Sequence, residues 1–212
     1  HDEYNHLLAV SRKRAHEFGS KKLSEKERGR MTARHWNRNL LHDIILIMAN
    51  SGMRVDEMKT VTWRDIDWKN KTITLNKAGK VKSSRVCLVR GHGIRAAERI
   101  KERRLEYIKT HNLEELKDSE RIQSLPNSTF VFSLRKGFDE LLKACGFEYK
   151  DIKGKHSLTS LRHSYATLRL TAARGQRASM RALAKQMGTS QKMIEKNYGH
   201  DVVEDYRDEL MG

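Results

Sequence analysis

Between Asn39 and Asn50 the chain places Leu40, Leu41, Ile44, Ile45 and Met48 in one broad apolar stripe at helical spacing, and the "NSG" that follows stops it. A stripe that wide must be covered, so this helix belongs to the core. Upstream, Tyr4, Leu7, Leu8, Ser11 and Ala15 keep helical spacing over residues 2 to 18 until Gly19 and Ser20 break the pattern, which predicts a first helix. Between the two lies "KKLSEKERGRMTARHWNRN", with seven Lys or Arg, two Glu and little apolar periodicity. It reads as a basic loop, either a solvated linker or a track along a phosphate backbone, and Arg34 and Arg38 are its contact candidates.

Downstream, "MRVDEMKTVTWRDIDW" reads as a short helix passing into an extended stretch. In "KTITLNKAGKVKSSRVCLV", Ile73 and Leu75 alternate with polar residues, a Lys/Gly-rich turn intervenes, and Val86 and Leu88 alternate again, the pattern of a β-hairpin. Residues 93 to 111 read as a charged amphipathic helix, 112 to 128 as a polar loop around the sole proline, Pro126, and "TFVFS" as a short strand. Helices resume at Lys136 and continue to the end. The expected fold is α+β, mostly α-helical, with a small antiparallel β-hairpin or sheet on one side.

At 212 residues the chain suits one domain of generous size, or one with an added arm, and can bury a real core. Lys and Arg total 43 against 27 Asp and Glu, a formal charge of +16. That excess points to a polyanionic partner, with nucleic acid leading and an ordinary basic surface as the plain alternative. No apolar run has the length of a membrane span and no signal-type segment follows the N-terminus, so a soluble, cytoplasmic protein is expected. Cys87 and Cys145 lie far apart without metal-ligand spacing; neither a zinc site nor a disulfide framework is expected, and no cofactor is implied.

Three constellations could carry chemistry. In "SGMRVDE", Arg54 follows a helix-ending Ser-Gly, and Glu57 lies at i+3, placed to hold the guanidinium so that its fork can face a phosphate; the pair could equally be a surface ion pair. In "SLTSLRHSYATLRL", Leu158, Leu161, Tyr165 and Leu168 form the buried face and Arg162 borders it, as a snorkelling side chain or a site residue. In the hairpin turn "NKAGKVK", Lys77, Lys80 and Lys82 could meet phosphates, or protect an edge. Near the end, "GTSQKMIEKNYGH" sets Tyr198 between an asparagine and a glycine.

Taken together, these segments resemble the catalytic domain of the tyrosine recombinases, the integrases of phages and mobile elements. That family shows an arginine after a glycine turn with a glutamate three residues on, a hairpin lysine, an Leu-Arg-His helix, and a tyrosine two residues before a histidine. Here the matching positions are Arg54, Lys77, Arg162 and Tyr198, in the family order, over roughly residues 40 to 200. The resemblance implies a site-specific DNA recombinase for integration or excision of a mobile element. In it, Arg54 and Arg162 clamp the phosphate, Lys77 protonates the leaving 5′ oxygen, and Tyr198 forms a 3′-phosphotyrosyl link without metal or ATP.

Two positions depart from the pattern. Thr159 stands where the family commonly has a histidine, three residues before the second arginine, and Thr189 where it has a histidine or tryptophan, nine before the tyrosine. A threonine hydroxyl can donate to a phosphate oxygen but cannot carry a proton as an imidazole does. Glu57, His163 and His200 are supporting candidates, although the two histidines, as sequence neighbours of Arg162 and Tyr198, need not face the site. His156 reads as a loop residue.

By the same resemblance, 1 to 200 is the catalytic domain. The chain opens on His1, and an N-terminal DNA-clamping domain is expected to be missing from it. The final twelve residues hold five acids against one arginine, with Val202, Val203, Tyr206 and Leu210 in a stripe. They should form a tail helix, docked on this domain or on a neighbouring protomer of a homo-tetramer assembled on double-stranded DNA; accessory DNA-bending proteins would be further partners.

Three competing readings remain. One is a DNA-binding module of this fold that has lost cleavage. Another is a helix-turn-helix regulator built on Leu183, Met187 and Ile194 around the Gly-Thr-Ser turn. The third, a metal-dependent nuclease, would have to use Asp65 and Asp67, which more naturally orient the turn before the hairpin.

Overall fold

In a computed structural model, residues 2–17, 25–76, 84–147, 156–172 and 178–198 are described, with side chains from 33 onward in the second segment. Their helices are α1 (Asp2–His16), α2 (Glu25–Ala49), α3 (Val55–Met58), α4 (Gly91–His111), α5 (Arg135–Ala144), α6 (Ser160–Leu170), α7 (Met180–Met187) and α8 (Gln191–Tyr198). Strands β1 (Ile66–Asp67), β2 (Thr72–Leu75) and β3 (Arg85–Leu88) pair antiparallel in that order. The mostly helical architecture with a small sheet is the expected one.

The apolar stripe of α2 does what its width requires. Leu40, Leu41, Ile44, Ile45 and Met48 are all buried, with α1, α4, α5 and α6 packed around them. Each such side chain contributes about 1.5–3 kcal/mol on burial. The helix is longer than its stripe, however: the segment expected as a basic loop is helical from Glu25 onward. Glu, Lys, Arg, Met and Ala are good helix formers, and adding residues to an existing helix is cheap compared with nucleating one. Trp36 anchors the extension, buried and donating Nε1–H to the Ser124 carbonyl at 3.0 Å.

The sheet corrects a second expectation. Ile73 pairs with Cys87 and Leu75 with Arg85, so the inward positions of β3 belong to Cys87 and Arg85. Val86 and Leu88, whose alternation marked the strand, face outward and are exposed. A phase error of one residue exchanges the two faces of a strand. The outer edge of β3 is closed by Gln186 of α7, whose Nε2 donates to the Leu88 carbonyl (2.7 Å) while its Oε1 accepts from Leu88 N (3.1 Å).

"TFVFS" does not extend a sheet. It folds back on the preceding segment through Leu125 N to Thr129 O (2.8 Å) and Val131 N to Gln123 O (3.0 Å), with a single bridge between Ser124 and Phe130. Asp65 and Asp67 orient turns as expected: Asp65 Oδ2 accepts from Thr62 N (2.8 Å) and Asp67 Oδ1 from Asn70 N (2.9 Å). Both cysteines are free and buried, and burial pushes the Cys87 thiol up to about 11.

Tyr165, Ala166 and Leu170 of α6, Leu183, Ala184 and Met187 of α7, and Ile194 of α8 form a second, smaller core, with Tyr198 packed at its margin. Among the described residues, no helix is long and apolar enough to cross a membrane.

Candidate active site

The site begins where α2 ends. Gly52 takes a left-handed φ of +69°, and a Cβ there would run into the buried Tyr165 ring, 2.8 Å from its Cε1. The turn delivers Arg54 to the start of α3, where Glu57 organises the arginines. Glu57 is fully buried; its Oε1 accepts from Arg54 Nη1 (3.1 Å), and its Oε2 accepts from the Arg54 backbone N–H (2.7 Å) and from Arg85 Nη2 (2.8 Å). The expected Arg54–Glu57 contact is therefore present, and Arg85, a residue that sequence reading missed, shares the carboxylate.

Both guanidiniums also hold the end of α7. Arg54 Nη2 donates to the Gly188 carbonyl (2.7 Å) and Arg85 Nη1 to the Gln186 carbonyl (2.6 Å). The last carbonyls of a helix lack intrahelical partners and carry its negative dipole end, so two cations there are doubly favourable. Gly188 has a φ of +62°, and Thr189 N reaches back to the Ala184 carbonyl at 3.0 Å, closing α7 with a Schellman turn.

A Cβ on Gly188 would collide with the Arg85 guanidinium and lie 2.8 Å from its Cδ. Gly188→Ala should thus cost about 2 kcal/mol, combining left-handed strain with displacement of Arg85. Urea unfolding checks this, with an unchanged midpoint as the contrary result.

Arg162 enters from α6, nearly buried, and donates Nη1–H to the Gly52 carbonyl at 2.6 Å. It is no snorkelling residue. Burial first, and then the charge of Arg54, lower its pKa to about 10, which leaves it cationic at neutral pH. A guanidinium has five N–H donors, so the fork retains donors for an anionic ligand.

Tyr198, the last residue of α8, is half-buried, and its hydroxyl lies 2.7 Å from His163 Nδ1. Burial raises the phenol's pKa above its ordinary value while the charge of Arg162 opposes the rise. His163 therefore does face the site.

The remaining candidates are placed unevenly. Thr159 is exposed at the start of α6 and lines a cavity of about 430 Å³ together with His156, Lys59 and Phe138. Among the described residues no hydrogen bond ties its hydroxyl to Arg162 or Tyr198. His156 packs against Phe147, ring centroids 5.8 Å apart, and its Nε2 is buried without a hydrogen-bond partner among the described residues. Arg34 and Arg38 line a cleft of about 440 Å³ with Arg14 and Lys136, and Arg54, Arg85, Arg162 and Tyr198 are not in its lining. Lys77, Lys80, Lys82, His200 and the tail 201–212 lie outside the described residues.

Fold and site together define a mostly helical domain in which arginines from three elements lie beside a hydrogen-bonded tyrosine. The chain belongs to the phage integrase family, the tyrosine recombinases, whose family model matches residues 2–204. No curated protein sequence matches it. Among solved structures it is similar to XerA recombinase (20% identity, TM-score 0.60, 90% of this chain and 65% of that one). It is also similar to XerH site-specific recombinase bound to a palindromic difH substrate (19%, 0.62, 98% and 50%). A third is the Tn1549 transposon integrase in complex with transposon right-end DNA (17%, 0.60, 91% and 66%). At these identities the likeness is one of fold, and the chain spans half to two thirds of the length of these proteins.

Proposed function

We propose that this protein is a site-specific DNA recombinase that cuts and rejoins strands through a covalent bond between Tyr198 and a DNA 3′ phosphate. The observation that carries the reading is the Tyr198 hydroxyl, hydrogen-bonded to His163 beside Arg162 and the Arg54–Arg85 pair anchored on Glu57. Three guanidiniums against one carboxylate leave a net positive site for the charge that builds on the non-bridging oxygens during attack. Arg54 and Arg162 supply forks to those oxygens, and Lys77 is the general acid for the 5′ oxygen. The phosphotyrosyl bond conserves the energy of the broken phosphodiester, so a second DNA end can reverse the step with neither metal nor nucleotide.

Arg34 and Arg38 on α2, with Lys80 and Lys82 of the hairpin, contact the DNA backbone in this reading, and the threonines at 159 and 189 contribute at most hydroxyl donors. The catalytic unit comprises 1–200, acts in the cytoplasm on DNA of a mobile element, and assembles as a homo-tetramer on its sites, the 201–212 helix reaching a neighbouring protomer. DNA-bending proteins are further partners where the sites must be brought together.

The test uses nicked duplexes of randomised sequence that lose a short fragment on cleavage, so that the covalent product is trapped. A protein–DNA adduct stable on a denaturing gel, absent for Tyr198→Phe although that variant still binds DNA, is the expected result. Binding without adduct by the unaltered protein would instead identify a DNA-binding module.

A further inference from the structure

We propose that His163 is the general base of the cleavage step, accepting the Tyr198 proton on Nδ1 in a site whose positions 159 and 189 carry threonine. The proposal rests on the reading of Tyr198 as nucleophile. A separation of 2.7 Å between phenol oxygen and imidazole nitrogen is that of a well-formed hydrogen bond, within the reach required of a base acting on its acid.

The two side chains are set on packed helices. Tyr165, Ala166 and Leu170 on α6 meet Leu183 and Met187 on α7 and Ile194 on α8, and Tyr198 sits one turn beyond Ile194 against the same cluster. The imidazole and the phenol are therefore brought together by the second core.

Electrostatics suit the two partners to opposite ends of a proton transfer. His163 is shifted below its ordinary pKa, by partial desolvation first and by the neighbouring Arg162 cation second, which favours the neutral, proton-accepting ring. Arg162 is also the charge that acts on Tyr198, favouring phenolate as it forms, whereas burial keeps the resting phenol protonated. Among the charged groups on the elements around α6, Arg54, Glu57 and Arg85 act on Arg162; the charge acting on His163 is Arg162 alone among the described residues. A nucleophile that does not ionise unaided needs an acceptor, and the histidine in contact with it supplies one.

The step balances as follows. The Tyr198 O–H bond breaks as its proton moves to Nδ1, the Nε2–H tautomer becoming imidazolium. The Oη–P bond forms, the P–O5′ bond breaks, and the 5′ oxygen takes a proton from the general acid. In rejoining, the imidazolium returns its proton to the departing phenolate. The other neutral tautomer, with its proton on Nδ1, would donate to the phenol oxygen and merely orient it.

His163→Asn separates the two roles, because an amide can hold the phenol by a hydrogen bond but cannot take its proton. Adduct formation by the Asn variant is expected to fall about 100- to 10,000-fold. The wild-type rate should rise tenfold per pH unit along its acid limb, the imidazole being productive only when unprotonated, and this limb should vanish in His163→Asn. His163→Ala should be equally slow and regain adduct formation with added imidazole. An adduct whose rate and pH profile survive in His163→Asn overturns the proposal alone. A wild-type protein that forms no adduct overturns the nucleophile reading and this proposal with it.

Discussion

Glu57→Ala is expected to destabilise the protein by about 3 kcal/mol, the low end of what breaking a buried ion pair costs. Glu57 is fully buried and accepts three hydrogen bonds, two of them from guanidiniums of different elements. Its removal leaves two cations facing each other with only the carbonyls of α7 to hold them. The Arg54 side chain is 36% exposed and can regain water, which limits the loss, whereas Arg85 at 13% cannot do so without opening the sheet from α7. Arg85 Nε is already buried without a hydrogen-bond partner among the described residues, so this region has little reserve. The expected result is a lower urea midpoint at unchanged denaturant slope, with Glu57→Gln intermediate because it keeps the shape and loses the charge. A Glu57→Ala midpoint equal to the wild type would show that the arginines do not depend on this carboxylate.

Arg162→Lys should slow covalent adduct formation by about 100- to 1,000-fold, the usual consequence of removing one donor aimed at developing charge. Lysine keeps the charge but not the planar fork, and its strongly hydrated ammonium is poorly suited to a nearly buried position that holds the Gly52 carbonyl and, in the proposed reaction, would also face a phosphate. DNA affinity should change far less than rate, because one cation among many contacts the backbone. Single-turnover rates at saturating protein, compared with binding isotherms at the same salt, distinguish the two effects. A parallel loss of binding and rate would assign Arg162 to docking alone.

Much of this protein could be read before its structure. The stripe of α2, the Arg54–Glu57 spacing and the helix pair around the Gly-Thr-Ser turn are local patterns, since helical contacts repeat every three or four residues and leave a periodic trace. The extension of α2 to Glu25 escaped because a helix without an apolar stripe shows only propensity. Val86 and Leu88 misled because strand alternation reports two faces without saying which is buried. Pairing with Ile73 and Leu75 settles that, and the same register could have found Arg85, the residue opposite Leu75.

The candidate site divides in the same way. Chain order alone determined which residue types are available: arginines after a helix stop and within the Leu-Arg-His helix, a tyrosine near the end, and threonines at two positions where the family commonly has an imidazole or indole. Tertiary structure decided which of them meet. Arg85 joins Glu57 across 28 residues, Arg54 reaches Gly188 across 134, and Tyr198 meets His163 across 35. Those separations follow from how α6, α7 and α8 pack on one small core and on the sheet. Contacts that depend on packing between distant segments leave no period in the sequence.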